Sequence, residues 1–190
     1  LSRFPHWSRH CGSASLVSPS NYLLAYTNGT FIQPSISVAE TPNQTSNSYK
    51  LTLETATAPD LPCGNSIQDD FPPDAYSWYT STTTPYAGLK HLRIDHNPNT
   101  TSAKSDWFYS VPLNLSADRL YRIYFYWRAS NSSKTENLHV YLGNSADAAT
   151  MLSNASLFDG SNNSLTYHLD STSDIIPQLN GVYYYGFYAN

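Results

Sequence analysis

Two neighbouring runs place sugar-binding side chains at alternating positions: Arg122, Tyr124, Tyr126 and Arg128 in the first, His139 and Tyr141 in the second. Tyrosine rings stack on the C–H faces of sugars, while Arg and His hydrogen-bond their hydroxyls. A flat face carrying these six residues would suit a glycan. Oxygen ligands form a second pattern. Asp95-His96-Asn97-Pro98-Asn99 alternates side-chain oxygens, and Asp106 falls at position 12 counted from Asp95, as in a calcium loop. Thr100 stands where such a loop needs glycine and Pro98 stiffens it, so a polar hairpin loop is the plainer reading. The adjacent carboxylates Asp69 and Asp70 would point to opposite faces of a strand, which prevents them from sharing a proton. No Gly-x-Ser-x-Gly elbow, His-Glu-x-x-His pair or phosphate-binding glycine loop occurs, and the chain is expected not to be an enzyme. His91 and His96 read as ordinary polar positions.

Those side chains must be positioned by strands. In Leu120 to Ala129, alternation sends Tyr121, Ile123, Phe125 and Trp127 to a core and Arg122, Tyr124, Tyr126 and Arg128 outward. Leu138 to Gly143 turns its leucines and valine one way, with His139 and Tyr141 the other. Gly181 to Ala189 points Tyr183, Tyr185 and Phe187 inward, Tyr184 and Tyr188 outward. Further strands are predicted over Asn21 to Tyr26, Thr30 to Val38, Tyr49 to Thr55, Leu89 to Asp95, Trp107 to Pro112 and Leu165 to Leu169. Asp147 to Leu152 is the one helical stretch, a turn or two long. The fold class is all-β, of sandwich type.

Composition agrees. Of 190 residues only 13% are charged, with 10 Lys+Arg against 14 Asp+Glu, which argues against a nucleic-acid binder. Aromatic residues make up 14%, enough to build a core despite the low charge and high Ser, Thr and Asn content. No apolar run approaches the roughly 20 residues that span a bilayer, so no transmembrane segment is expected. Met151 is the only methionine, which implies a piece of a longer reading frame. Cys11 and Cys63 either close one long-loop disulfide or remain two thiols. Seven Asn-x-Ser/Thr sequons begin at Asn28, Asn43, Asn99, Asn114, Asn131, Asn154 and Asn162; they would suggest glycosylation in a eukaryotic secretory protein and are expected by chance in an Asn/Ser/Thr-rich bacterial one. A Pro-rich stretch from Ala58 to Gly64 marks a boundary between an upstream β segment, residues 1–59, and a domain over 60–190.

Asp69-Asp70-Phe71-Pro72-Pro73 followed by Trp78, then Asp106-Trp107-Phe108-Tyr109-Ser110-Val111-Pro112, then Leu138-His139-Val140-Tyr141-Leu142-Gly143 and Gly181-Val182-Tyr183-Tyr184-Tyr185-Gly186-Phe187 form an ordered series. Together with Leu120 to Ala129, the series resembles the choice-of-anchor J domain of secreted Bacteroidetes proteins, a relative of cleaved adhesin modules and, more distantly, of MAM domains. The resemblance covers about two-thirds of the chain. It implies a jelly-roll β-sandwich, a closing strand beyond Asn190, and structural calcium near the opening strand at Asp69 or Asp70; Asp95 and Asn97 are further candidate oxygen ligands from the alternating pattern alone. Leu51-Thr52-Leu53-Glu54-Thr55 resembles the last strand of a fibronectin type III or immunoglobulin-like module. The functional expectation is a non-catalytic extracellular adhesion module, secreted or at the cell surface, that binds glycans or proteins of a host or neighbouring cell. The alternatives are a carbohydrate-binding accessory domain of a secreted hydrolase and a structural spacer.

Overall fold

The computed structural model describes residues 35–39, 47–50, 61, 64–69, 76–95 and 105–190. In chain order the strands are β1 (Ser35–Ala39), β2 (Asn47–Lys50), β3 (Ser66–Asp69), β4 (Tyr79–Ser81), β5 (His91–Arg93), β6 (Asp106–Tyr109), β7 (Leu113–Leu115), β8 (Leu120–Trp127) and β9 (Glu136–Gly143). Helix α1 (Ala148–Leu152) precedes β10 (Phe158–Asn162), β11 (His168–Ser171) and β12 (Gly181–Ala189). One sheet runs β11-β8-β1-β2 and the other β10-β9-β12-β6-β3, with β7 beside β12 and β4–β5 as a separate antiparallel pair. The protein is an all-β sandwich.

The main core lies between the sheets because the period-two pattern of each strand turns its apolar set inward. From the first sheet come Tyr121, Ile123 and Phe125, and from the second Phe108, Leu138, Val140, Leu142, Tyr185 and Phe187, all buried. Phe125 joins the layers, meeting Phe158 and Phe187 edge-on at ring-centroid distances of 5.0 and 5.8 Å.

A second, smaller core covers the far side of the second sheet. It consists of Trp107, Tyr109, Ala148 and Met151, with Tyr141, Tyr184 and Tyr188 packed against it. Trp107 stacks on Tyr188 at 4.6 Å and on Tyr109 at 5.8 Å. Glycine at 186 permits this, since a Cβ there would stand 3.1 Å from the indole. The helix exists to cover that indole. Asp147 caps it by accepting from the Thr150 backbone N–H at 2.7 Å and from the Thr150 hydroxyl at 2.8 Å. Five residues cannot hold a helix by propensity alone, so burial of Ala148 and Met151 must stabilise it.

The longest predicted strands, β8, β9 and β12, form with the expected inward faces, whereas short elements differ. The strand expected over Leu165 to Leu169 begins instead at His168. Ser164 N–H donates to Asn162 Oδ1 and Thr166 N–H to Ser164 Oγ, and these local turns hold the chain away from the ladder. Phe158 to Asn162, poor in strand formers, becomes β10 by pairing with β9. Gly160 allows the Phe158 ring to fold over it, and its Cβ would also lie 2.9 Å from Trp127.

β1 and β2 come from the segment read as the tail of an upstream module. β1 pairs with β8 from Ser35↔Tyr124 to Ala39↔Leu120, so a ladder crosses the expected boundary. The predicted strand at Asn21 to Tyr26, Cys11 and Cys63 lie outside the described residues. Among the described residues no helix is long and apolar enough to cross a membrane.

Candidate functional site

At the end of the sandwich where β8 leaves and β9 enters, the β4–β5 pair closes against both sheets and leaves a partly open cleft of about 150 Å³. Phe125, Leu138 and Phe187 of the core reach it from within. Its aromatic walls are Trp78, Tyr126, Trp127 and Tyr167, and its charged groups are Arg93, Arg128 and Glu136.

The wall beside Arg128 is built by the loop between β4 and β5. Tyr86 stacks on Tyr126 at 3.8 Å with the rings 14° from parallel, and meets Tyr167 edge-on at 5.6 Å. Arg128 Nη2 donates to Thr84 Oγ1 at 2.6 Å, Nη1 donates to the Ala129 carbonyl at 3.2 Å, and the guanidinium lies 5.1 Å from the Tyr167 ring centre. The Tyr167 hydroxyl donates to the Thr84 carbonyl at 3.2 Å. Thr84 has φ 53°, a left-handed conformation that threonine avoids, and these two contacts hold it there.

Across the cleft, Arg93 Nε donates to Asp95 Oδ1 at 2.7 Å and the Tyr79 hydroxyl donates to Asp95 Oδ2. Burial, reinforced by the Asp95 carboxylate, raises the Tyr79 pKa above its usual value. His91 is only 5% exposed, and its Nδ1 is buried without a hydrogen-bond partner. Its pKa is pushed down to about 4, first by desolvation and then by Arg128 and Arg93. The ring is therefore neutral at physiological pH.

This shift has a pH consequence. A histidine with a folded pKa below its unfolded one stabilises the fold fully above the unfolded value of 6.5, and that contribution is lost as pH falls toward 4. Acid titration is expected to remove roughly 2 kcal/mol over that window, allowing for solvent screening at the cleft mouth. The His91→Phe variant should flatten urea-melt stability between pH 6.5 and 4. An unchanged slope would show that His91 does not titrate there.

The six residues expected to share a glycan face do not share one. Arg122, Tyr124 and Tyr126 point away from the core on the first sheet, with Arg128 just past the end of β8, while His139 and Tyr141 lie on the opposite outer side, on the second. Opposition follows from both sheets turning their other faces into one core. Only Tyr126 and Arg128 line the cleft. Arg122 is ion-paired to Asp174, with its guanidinium 5.9 Å from the Tyr124 ring centre, and the pairing raises its already high pKa. His139 Nδ1 bonds Asp159 Oδ1 and its Nε2 lies 3.3 Å from Asn190 Oδ1. The His139 contact and the Ser156 hydroxyl hold the Asp159 pKa below the usual carboxylate range. Tyr141 packs against the second core.

Of the candidate calcium ligands, Asp95 is engaged by Arg93 and Tyr79, and Asp69 ends β3 opposite Asp106 in the ladder. Asp70 and Asn97 lie outside the described residues. Among the described residues no three His, Cys, Asp or Glu side chains are grouped as a metal site. Sequence reasoning missed His91, Arg93, Trp78 and Tyr167 as lining residues. The pattern His91-Leu92-Arg93 does place His91 and Arg93 on one side of a strand, but nothing local brings Arg128 and Tyr167 to them.

No known family's sequence profile matches the chain, and no curated protein matches it. Among solved structures it is similar to the crystal structure of the K1 cleaved adhesin domain of Lys-gingipain from Porphyromonas gingivalis, with a TM-score of 0.55 and 12% identity over 68% of this chain and 85% of that one. At that identity the likeness is one of fold, and the chain has a cleaved-adhesin-like β-sandwich.

Proposed function

We propose that this chain is a non-catalytic adhesion module that works outside the cell, secreted or at its surface, and holds glycans in the cleft between β5, β8 and β9. One observation carries the reading: a cleft of about 150 Å³ walled by Trp78, Tyr126, Trp127 and Tyr167 and supplied with guanidinium donors. A cavity near 150 Å³ accommodates one six-membered ring. Aromatic walls take the C–H face of a sugar, and arginines take its oxygens. The likeness in fold to an adhesin domain agrees with this role. Structural calcium at Asp69 or Asp70 belongs to the same proposal.

Binding of the full chain to a panel of glycans and polysaccharides, with and without calcium, tests it. The Tyr126→Ala variant should weaken binding about three- to tenfold, the range for one aromatic contact. Tyr124→Ala and Tyr141→Ala, on the two outer faces, should not. A loss at Tyr124 or Tyr141 instead would move the site to an outer face, and no binding at all would favour a structural spacer.

A further inference from the structure

We infer that the cleft selects an acidic sugar ring, one bearing a carboxylate as a uronic acid does, with Arg128 receiving the carboxylate. The inference rests on the glycan-binding reading above and assigns the ligand's chemical class. One observation carries it.

Arg128 has no carboxylate partner among the described residues. Arg93 is matched by Asp95 at 2.7 Å, and Arg122, on β8 just before Arg128, by Asp174. Arg128 contacts only the neutral oxygens of Thr84 and Ala129 and the ring of Tyr167, which leaves guanidinium N–H groups available. Glu136, the one carboxylate among the lining residues, forms no ion pair with it. A half-buried cation without a counter-ion favours a ligand that brings one.

Of the two guanidiniums that line the cleft, Arg93 is already held by Asp95, which leaves Arg128 as the donor for an incoming carboxylate.

A ring that presents a carboxylate to Arg128 and a C–H face to the aromatic walls uses the unmatched guanidinium and the apolar lining together.

The test compares D-glucuronate with D-glucose, which differ only in the carboxylate at C6, by nuclear magnetic resonance titration of the full chain at neutral pH. Glucuronate is expected to bind roughly tenfold tighter or more, as a charge-assisted hydrogen bond allows, and to weaken with added salt. Arg128→Gln should abolish the preference and Arg128→Lys should keep part of it, because lysine retains the charge and loses the planar fork. Lys134→Gln, which removes one exposed positive charge outside the cleft, should change neither affinity. Arg128 also fastens Thr84, so retained spectral dispersion must accompany the loss in Arg128→Gln, and the Lys variant reads the charge without removing it. Equal binding of both sugars, or a preference that survives in folded Arg128→Gln, would overturn the acidic assignment and leave the glycan reading standing. If neither ring binds while larger glycans do, the cleft is not the site. If nothing on the panel binds either, both readings fall together.

Discussion

Replacing Trp107 with alanine is expected to lower stability by about 3–5 kcal/mol, the range for removing a large buried aromatic side chain. Trp107 is fully buried and stands at the centre of the second core, stacked on Tyr109 and Tyr188 and tilted against Tyr141 at 5.4 Å. The cavity could not close easily, because the surrounding rings lie on three paired strands whose positions are set by ladder hydrogen bonds. α1 would lose the surface over which Met151 is held. For a chain of this size the loss corresponds to a fall of roughly 6–20 °C in melting temperature. Thermal and urea melts of Trp107→Ala beside the parent chain measure it, with the α1 amides followed by hydrogen exchange. A loss below about 1 kcal/mol, with α1 amides still protected, would show that the second core contributes little.

The second large effect concerns residues 1–59. Expressed alone, residues 60–190 should be less stable and self-associate, although the Pro-rich stretch near residue 60 invites cutting there. β1 pairs with β8 over five positions, Leu120 to Tyr124. Removing β1 exposes that edge of an eight-residue strand rich in tyrosine, isoleucine and phenylalanine, with bare N–H and C=O groups ready to pair with another copy. Each lost ladder bond is worth only about 0.5–1.5 kcal/mol net, but the new edge is a template for association. Size-exclusion chromatography and melting of the fragment beside the full chain decide the matter. A fragment that elutes at the size of one chain and melts at the same temperature would mean that the β1–β8 ladder adds nothing.

The split of the expected glycan face shows where sequence reading stopped. Alternation in β8 and β9 correctly assigns Tyr121, Ile123 and Phe125 inward and Arg122, Tyr124 and Tyr126 outward, and separates Leu138, Val140 and Leu142 from His139 and Tyr141. It does not say that the two strands belong to different sheets. Once they face one core from opposite sides, their outward residues lie on opposite surfaces of the sandwich. The outward tyrosines of β9 and β12 also acquire neighbours that no local pattern reveals, since Met151 and Trp107 reach them from α1 and β6.

His91 illustrates the same limit at the cleft. On its own strand it alternates with Leu92 and resembles any polar strand residue. Its burial belongs to the folded molecule, and its low pKa follows first from that burial and then from Arg128, 37 positions away. The sequence by itself determined the all-β class, the registerable long strands and which side of each strand is apolar, because a strand's two-residue period is a local property of the chain. Only the tertiary structure decided which strands share a sheet, which outward faces remain open, and that a ring-sized cleft forms between β5, β8 and β9, because each depends on contacts between segments that are distant in the chain.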